Sequence, residues 1–177
     1  MNRPIHILLS CLCLFVVASC SKPAPTSGPE VAPGPSASSR KVTSESVVKV
    51  EPQPVAISPG GSGEAIVRLT IRSGYHVNAN PPTYPYLKAT TLDIAAGDGV
   101  SLAFVTYPKA VDKKFSFADK PLAVYEGTTD LKATLKADKA VRKGERSIPA
   151  RLRIQACDDQ VCYPPGTLEF AIPANVN

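Results

Sequence analysis

Alternation of apolar and polar residues is the dominant pattern along this chain. Over residues 64–72 it brings Ala65, Val67, Leu69 and Ile71 to one face. Over 130–137 it sets Leu131, Ala133 and Leu135 against Asp130, Lys132, Thr134 and Lys136. Over 151–156 it sets Leu152, Ile154 and Ala156 against Arg151, Arg153 and Gln155, and 167–172 repeats it with Leu168, Phe170 and Ile172. Successive side chains of a strand point to opposite faces, so a period of two marks a half-buried strand. Shorter runs at 47–50, 75–78, 90–94, 100–106 and 122–125 predict further strands. Pro and Gly clusters punctuate them, as at Ser58-Pro59-Gly60-Gly61 and Asn80-Pro81-Pro82. No segment carries a helical period. Many short strands separated by turns predict an all-β domain over 46–177, built as an antiparallel two-sheet sandwich.

The first 45 residues follow a different pattern. Met1-Asn2-Arg3 is a short basic start, residues 5–18 are mostly apolar, and Val17-Ala18-Ser19-Cys20 follows. This is the layout of an export signal over 1–19, too short for a stable membrane span. Small residues directly before Cys20 resemble a bacterial lipobox. That resemblance implies cleavage before Cys20 and lipidation of its sulfur, with the ordinary signal peptide as the alternative. Ser21 is not acidic, which by analogy with lipoprotein sorting favours the outer membrane. Residues 20–45 then read as a flexible linker: Ser21 to Ser39 holds five prolines and no apolar side chain larger than Val31. As a coil, this linker would span about 30 Å.

Composition narrows the chemistry. The formal charge is +5, and losing Arg3 with the signal leaves 5 − 1 = +4, without a basic stripe interleaved with aromatics. Nucleic acid is therefore not an expected partner. Of five cysteines, Cys11 and Cys13 leave with the signal and Cys20 carries lipid, so Cys157 and Cys162 remain. His76 is the one histidine of the mature chain. One imidazole and two thiols do not complete a zinc site, so neither metal nor cofactor is expected.

Four residues separate Cys157 and Cys162, which lie between two strand-like runs in an oxidising compartment where disulfides persist. Cys157 continues the outward set of Arg151, Arg153 and Gln155, which predicts a pair near the surface. A bridge closing so short a loop adds only about 2 kcal/mol by the chain-entropy model. Position alone leaves two readings open: a working redox couple, or a hairpin staple in a non-enzymatic lipoprotein that serves as a binding or scaffold module. Asp158 and Asp159 are the nearest charges, and like charge disfavours a thiolate. The expectation is a weakly activated pair that exchanges inside a docked complex.

Ala156-Cys157, then Cys162-Tyr163-Pro164-Pro165, at the end of an exported all-β domain resembles the N-terminal periplasmic domain of DsbD-type thiol:disulfide interchange proteins. Gly74-Tyr75-His76-Val77-Asn78 and Pro121-Leu122-Ala123-Val124-Tyr125-Glu126-Gly127 stand in the order that family shows. The resemblance covers about 47–172. It implies an immunoglobulin-like sandwich whose cysteine pair receives electrons from a thioredoxin-like domain. The acceptors would be periplasmic thiol proteins, including disulfide isomerases and cytochrome c maturation thioredoxins. It implies that Cys162 joins partners while Cys157 resolves. It implies an aromatic cap over the sulfurs, for which Phe115 or Phe117 is the candidate, the alternative being two ordinary strand aromatics facing opposite ways or one core Phe. It places His76 and Asn78 beside the cysteines, where His76 would stabilise a thiolate or position a proton, against the alternative of a solvated strand histidine. Tyr163 would pack over the sulfurs or anchor the Pro164-Pro165 turn. The chain departs from the family parent in having no transmembrane carrier and no Cys-x-x-Cys, so a separate membrane electron donor is expected. Its cysteine loop holds four residues where the family often has five.

Overall fold

The structure, a computed structural model, describes residues 41–177. The signal segment 1–19, Cys20 and the linker up to residue 40 lie outside the described residues. A short 3-10 turn, Glu45–Val47, opens the domain. Strands follow as β1 (Val48–Pro52), β2 (Val55–Ile57), β3 (Ser62–Ile71), β4 (His76–Asn78), β5 (Thr91–Ile94) and β6 (Val100–Thr106). Then come β7 (Val111–Lys113), β8 (Leu122–Tyr125), β9 (Thr128–Ala137), β10 (Gly144–Ile154), β11 (Ala156–Cys157) and β12 (Gly166–Val176).

Three four-stranded sheets result, ordered β1-β3-β9-β6, β2-β12-β10-β5 and β11-β4-β8-β7. Pairing is antiparallel except between β2 and β12. The first two sheets hold the long alternating strands. Val67, Leu69, Leu131 and Leu135 of the first share one core with Leu152, Ile154 and Ile172 of the second, all fully buried. This sandwich is the all-β architecture the alternation predicts. The third sheet adds Val77 and Ala156 to that core and keeps a small core of its own, Phe115, Leu122 and Val124.

The chain enters the third sheet at Gln155. β10 ends at Ile154 in the second sheet, and β11 resumes at Ala156 against β4, pairing Ala156 with Val77 and Cys157 with His76. This crossing corrects the surface position expected for the cysteine pair. Arg151 and Arg153 are exposed, but Cys157, on the same parity, is fully buried. In the third sheet both faces are covered at this point, and every residue of β4 and β11 is buried. The solvated alternative for His76 is corrected for the same reason, since the residue is 3% exposed.

The folded unit also begins earlier than residue 46. Ser44 is fully buried, and its hydroxyl donates to Pro164 O at 2.7 Å while accepting from Ala156 N at 3.0 Å. The Glu45 carboxylate packs on Gly166 and accepts from Thr167 N at 3.2 Å. A side chain at 166 would occupy the space of that carboxylate, which accounts for glycine there.

Candidate functional site: a disulfide hairpin and its aromatic neighbours

Cys157 and Cys162 form a disulfide. Cys157 ends β11, and Cys162 returns opposite it as an isolated antiparallel bridge. The turn between them is built by Asp158. Its Oδ1 accepts from Gln160 N and Val161 N, each at 2.8 Å, and its Oδ2 accepts from the Tyr163 hydroxyl at 2.6 Å. Asp158 N donates to Val161 O, and Tyr163 N donates to Ala156 O. Asp158 is thus a local cap, which is the service short carboxylates give turns. The Tyr163 hydroxyl and two amides hold its carboxyl below the ordinary range, and the same hydrogen bond pushes the Tyr163 phenol up to about 12. Tyr163 anchors the turn, with its ring 6.1 Å from that of Tyr75.

The two cysteines have unequal access. Cys157 is fully buried, whereas Cys162 is partly exposed and lines a groove of about 380 Å³. Phe117, Tyr86, Leu87, Val161 and Gln155 line the same groove. Tyr86, Phe117 and Val161 are among the most exposed large apolar residues of the described chain, at 70%, 42% and 50%. A disulfide-bonded cysteine on the wall of a largely apolar groove is a setting for docking another protein.

Phe115 and Phe117 occupy the connection from β7 to β8 and do different things. Phe115 is 2% exposed and meets the His76 ring edge-on at 5.3 Å. Phe117 stacks tilted on Phe115 at 5.2 Å and reaches the groove beside Cys162. Ser116 Oγ donates to Asp159 O at 3.0 Å, tying this connection to the cysteine turn. Lys113 Nζ stands 3.9 Å from Asp159 Oδ1, a long and exposed pair of little energetic weight.

His76 lies directly across from Cys157 in the β4–β11 ladder. Its Nε2 is 3.1 Å from Glu126 Oε2, and its Nδ1 is buried without a partner. Burial, and then the Lys113 ammonium, hold its ionisation below the ordinary histidine range, against smaller opposing pulls from Glu126 and Asp159. Asn78 is fully buried but serves the frame. Its Nδ2 donates to Gln155 Oε1 at 3.1 Å, and its backbone carbonyl accepts from Thr90 Oγ1 at 2.6 Å. Gln155 in turn accepts from Lys88 N and donates to Tyr163 O. Sequence reasoning missed Gln155 and Ser44, the two residues that brace this hairpin. Both are polar residues that the alternation assigns to solvent or linker, and their role arises from contacts far along the chain.

Among the described residues no cluster of side chains could hold a metal ion. Residues 44–174, which include both cysteines, match the sequence profile of the N-terminal region of thiol:disulfide interchange protein DsbD. The chain belongs to the DsbD N-terminal domain family. No curated protein matches the sequence. Among solved structures, the N-terminal periplasmic domain of ScsB from Proteus mirabilis is similar at a TM-score of 0.52 and 14% identity, covering 71% of this chain and 45% of that one. This chain thus spans less than half of that ScsB structure. The reduced DsbD N-terminal domain of Neisseria meningitidis is similar at a TM-score of 0.48 and 22% identity, covering 76% and 90%. For the DsbD N-terminal family, thiol:disulfide interchange is the general chemistry, and the Cys157–Cys162 disulfide is the group in this chain fit to perform it.

Proposed function

We propose that this protein is a reductant relay of the bacterial periplasm. In this reading Cys162 is the sulfur that joins partners and Cys157 is the resolving thiol. The observation that carries it is the unequal access of the pair: Cys162 opens on an apolar groove, and Cys157 is fully buried. A thioredoxin-like thiolate attacks Cys162 Sγ, the Cys157–Cys162 bond breaks, and Cys157 takes the electron pair. The partner's second thiol then displaces Cys162, leaving the domain reduced. Onward transfer reverses these steps on a periplasmic acceptor of the thioredoxin class, such as a disulfide isomerase or a cytochrome c maturation protein. Electrons would come from a separate membrane protein. Phe117 is the lid residue of this reading, since it lines the groove with Cys162, and Phe115 is its buried anchor.

The placement proposed for the chain is a lipid anchor on Cys20 after removal of 1–19, with the linker reaching from the outer membrane into the periplasm. Mass spectrometry of the mature N-terminus tests this placement, and an unmodified terminus at another residue contradicts it. The relay itself is tested by redox titration. A relay pair equilibrates with a thioredoxin-like dithiol, whereas a structural bridge sits below about −300 mV. A potential in that lower range assigns the pair to stapling.

A further inference from the structure

Reduction of this disulfide makes a thiolate where charge is expensive. Cys157 has no exposed surface, and a buried anion needs a proton or a partner. The residue directly opposite is His76. Paired residues of an antiparallel ladder share a face, with Cβ atoms about 5 Å apart. The imidazole is oriented from its far side: with Nε2–H donating to the Glu126 carboxylate, Nδ1 keeps a bare lone pair. That Nδ1 is buried and unpartnered, an uncommon condition for a polar atom. Glu126 is half exposed and, with His76, lines an open pocket of about 400 Å³ on which Arg72 and Lys113 also border.

We propose that Glu126, His76 and Cys157 form a proton path, in which His76 exchanges the Cys157 proton with solvent at the Glu126 pocket. This deepens the relay reading, on which its biological use rests. In the reducing half, an external thiolate bonds to Cys162 Sγ, the S–S bond breaks, and the electron pair passes to Cys157 Sγ. His76 delivers a proton to that sulfur and is recharged from solvent beside Glu126. In the onward half, Nδ1 accepts the Cys157 proton as Cys157 Sγ attacks the mixed disulfide at Cys162 Sγ, and the acceptor leaves as a thiolate. Other charged groups facing His76 are Lys113 at the end of β7 and Asp159 in the cysteine turn, of opposite sign to each other. The Phe115 ring packs against the imidazole, with centroids 5.3 Å apart.

The test uses oxidised full-length protein and dithiothreitol, so no partner is required. Reduction rates are divided by the dithiothreitol thiolate fraction at each pH from 4 to 9. The native protein should show a normalised rate that falls about tenfold or more as pH rises through the His76 ionisation, the range of modest general acid catalysis. His76→Gln and His76→Phe should both give a flat profile at the high-pH level. Glu126→Gln, a surface change, should keep the inflection and move it to lower pH. A flat native profile, or one that His76→Gln leaves unchanged, overturns the proposal. Should the His76 variants not fold, an unmoved inflection in Glu126→Gln overturns it alone. Failure here leaves exchange with thioredoxin-like proteins untouched, and failure of that exchange leaves this profile readable.

Discussion

His76 and Asp158 set the pH response of the site, and both act in the same direction. Burial first, then Lys113, lowers the histidine's ionisation, so the unfolded chain binds the proton more readily than the folded one. Stability is therefore full above the ordinary histidine range, about pH 6.5, and declines as pH falls below it. Asp158, lowered chiefly by the Tyr163 hydroxyl, adds stability above the ordinary carboxylate range that is lost as pH falls through its folded value, below about pH 4. Urea unfolding across pH 4–8 should show the first decline in the native protein and a reduced slope in His76→Gln. Equal slopes would mean that His76 titrates alike in both states. That Cys157 and Cys162 can pair was legible in the sequence, because only a short turn separates them, whereas the burial of Cys157 was not. The burial of His76 was not legible. A three-residue strand shows no period, and what covers it is a connection some forty residues onward.

The hairpin is braced by elements remote from it. Ser44, ahead of β1, bridges Ala156 N and Pro164 O, the backbone on either side of the disulfide. Ser44→Ala should leave the buried Ala156 amide unpaired and cost about 1–3 kcal/mol of stability. Chemical unfolding measures this, and a loss under a few tenths of a kcal/mol would show the amide finding another acceptor. The β7–β8 connection gives a second contrast. Phe115→Ala should cost about 3–5 kcal/mol, since the ring is buried on His76 and in the small core with Leu122 and Val124. Phe117→Ala should cost under about 1 kcal/mol, because the ring is partly exposed, yet it should speed attack on Cys162 by small thiols. Identical effects of the two variants on stability and on attack rate would remove the distinction between lid and anchor. Strand parity could not separate these rings, because residues 114–120 form a turn-rich connection rather than a strand.

At the scale of the molecule, the two large sheets were legible because β3, β9, β10 and β12 are ten or eleven residues long and alternate cleanly. The third sheet was not legible as a sheet, since its strands run two to four residues and gain their order from packing on the others. That sheet is where the site is built. It takes Cys157 out of the solvent-facing parity of β10 and leaves Cys162 to the groove. The resulting asymmetry is the central claim, and mixed-disulfide trapping tests it most directly. Reduced Cys157→Ser and Cys162→Ser variants of the full chain are mixed with an oxidised thioredoxin-like periplasmic protein and resolved by non-reducing mass spectrometry. The account predicts a stable adduct through Cys162 in Cys157→Ser and little adduct in Cys162→Ser, with both variants folded. Equal trapping by both thiols, or trapping by neither, would contradict it.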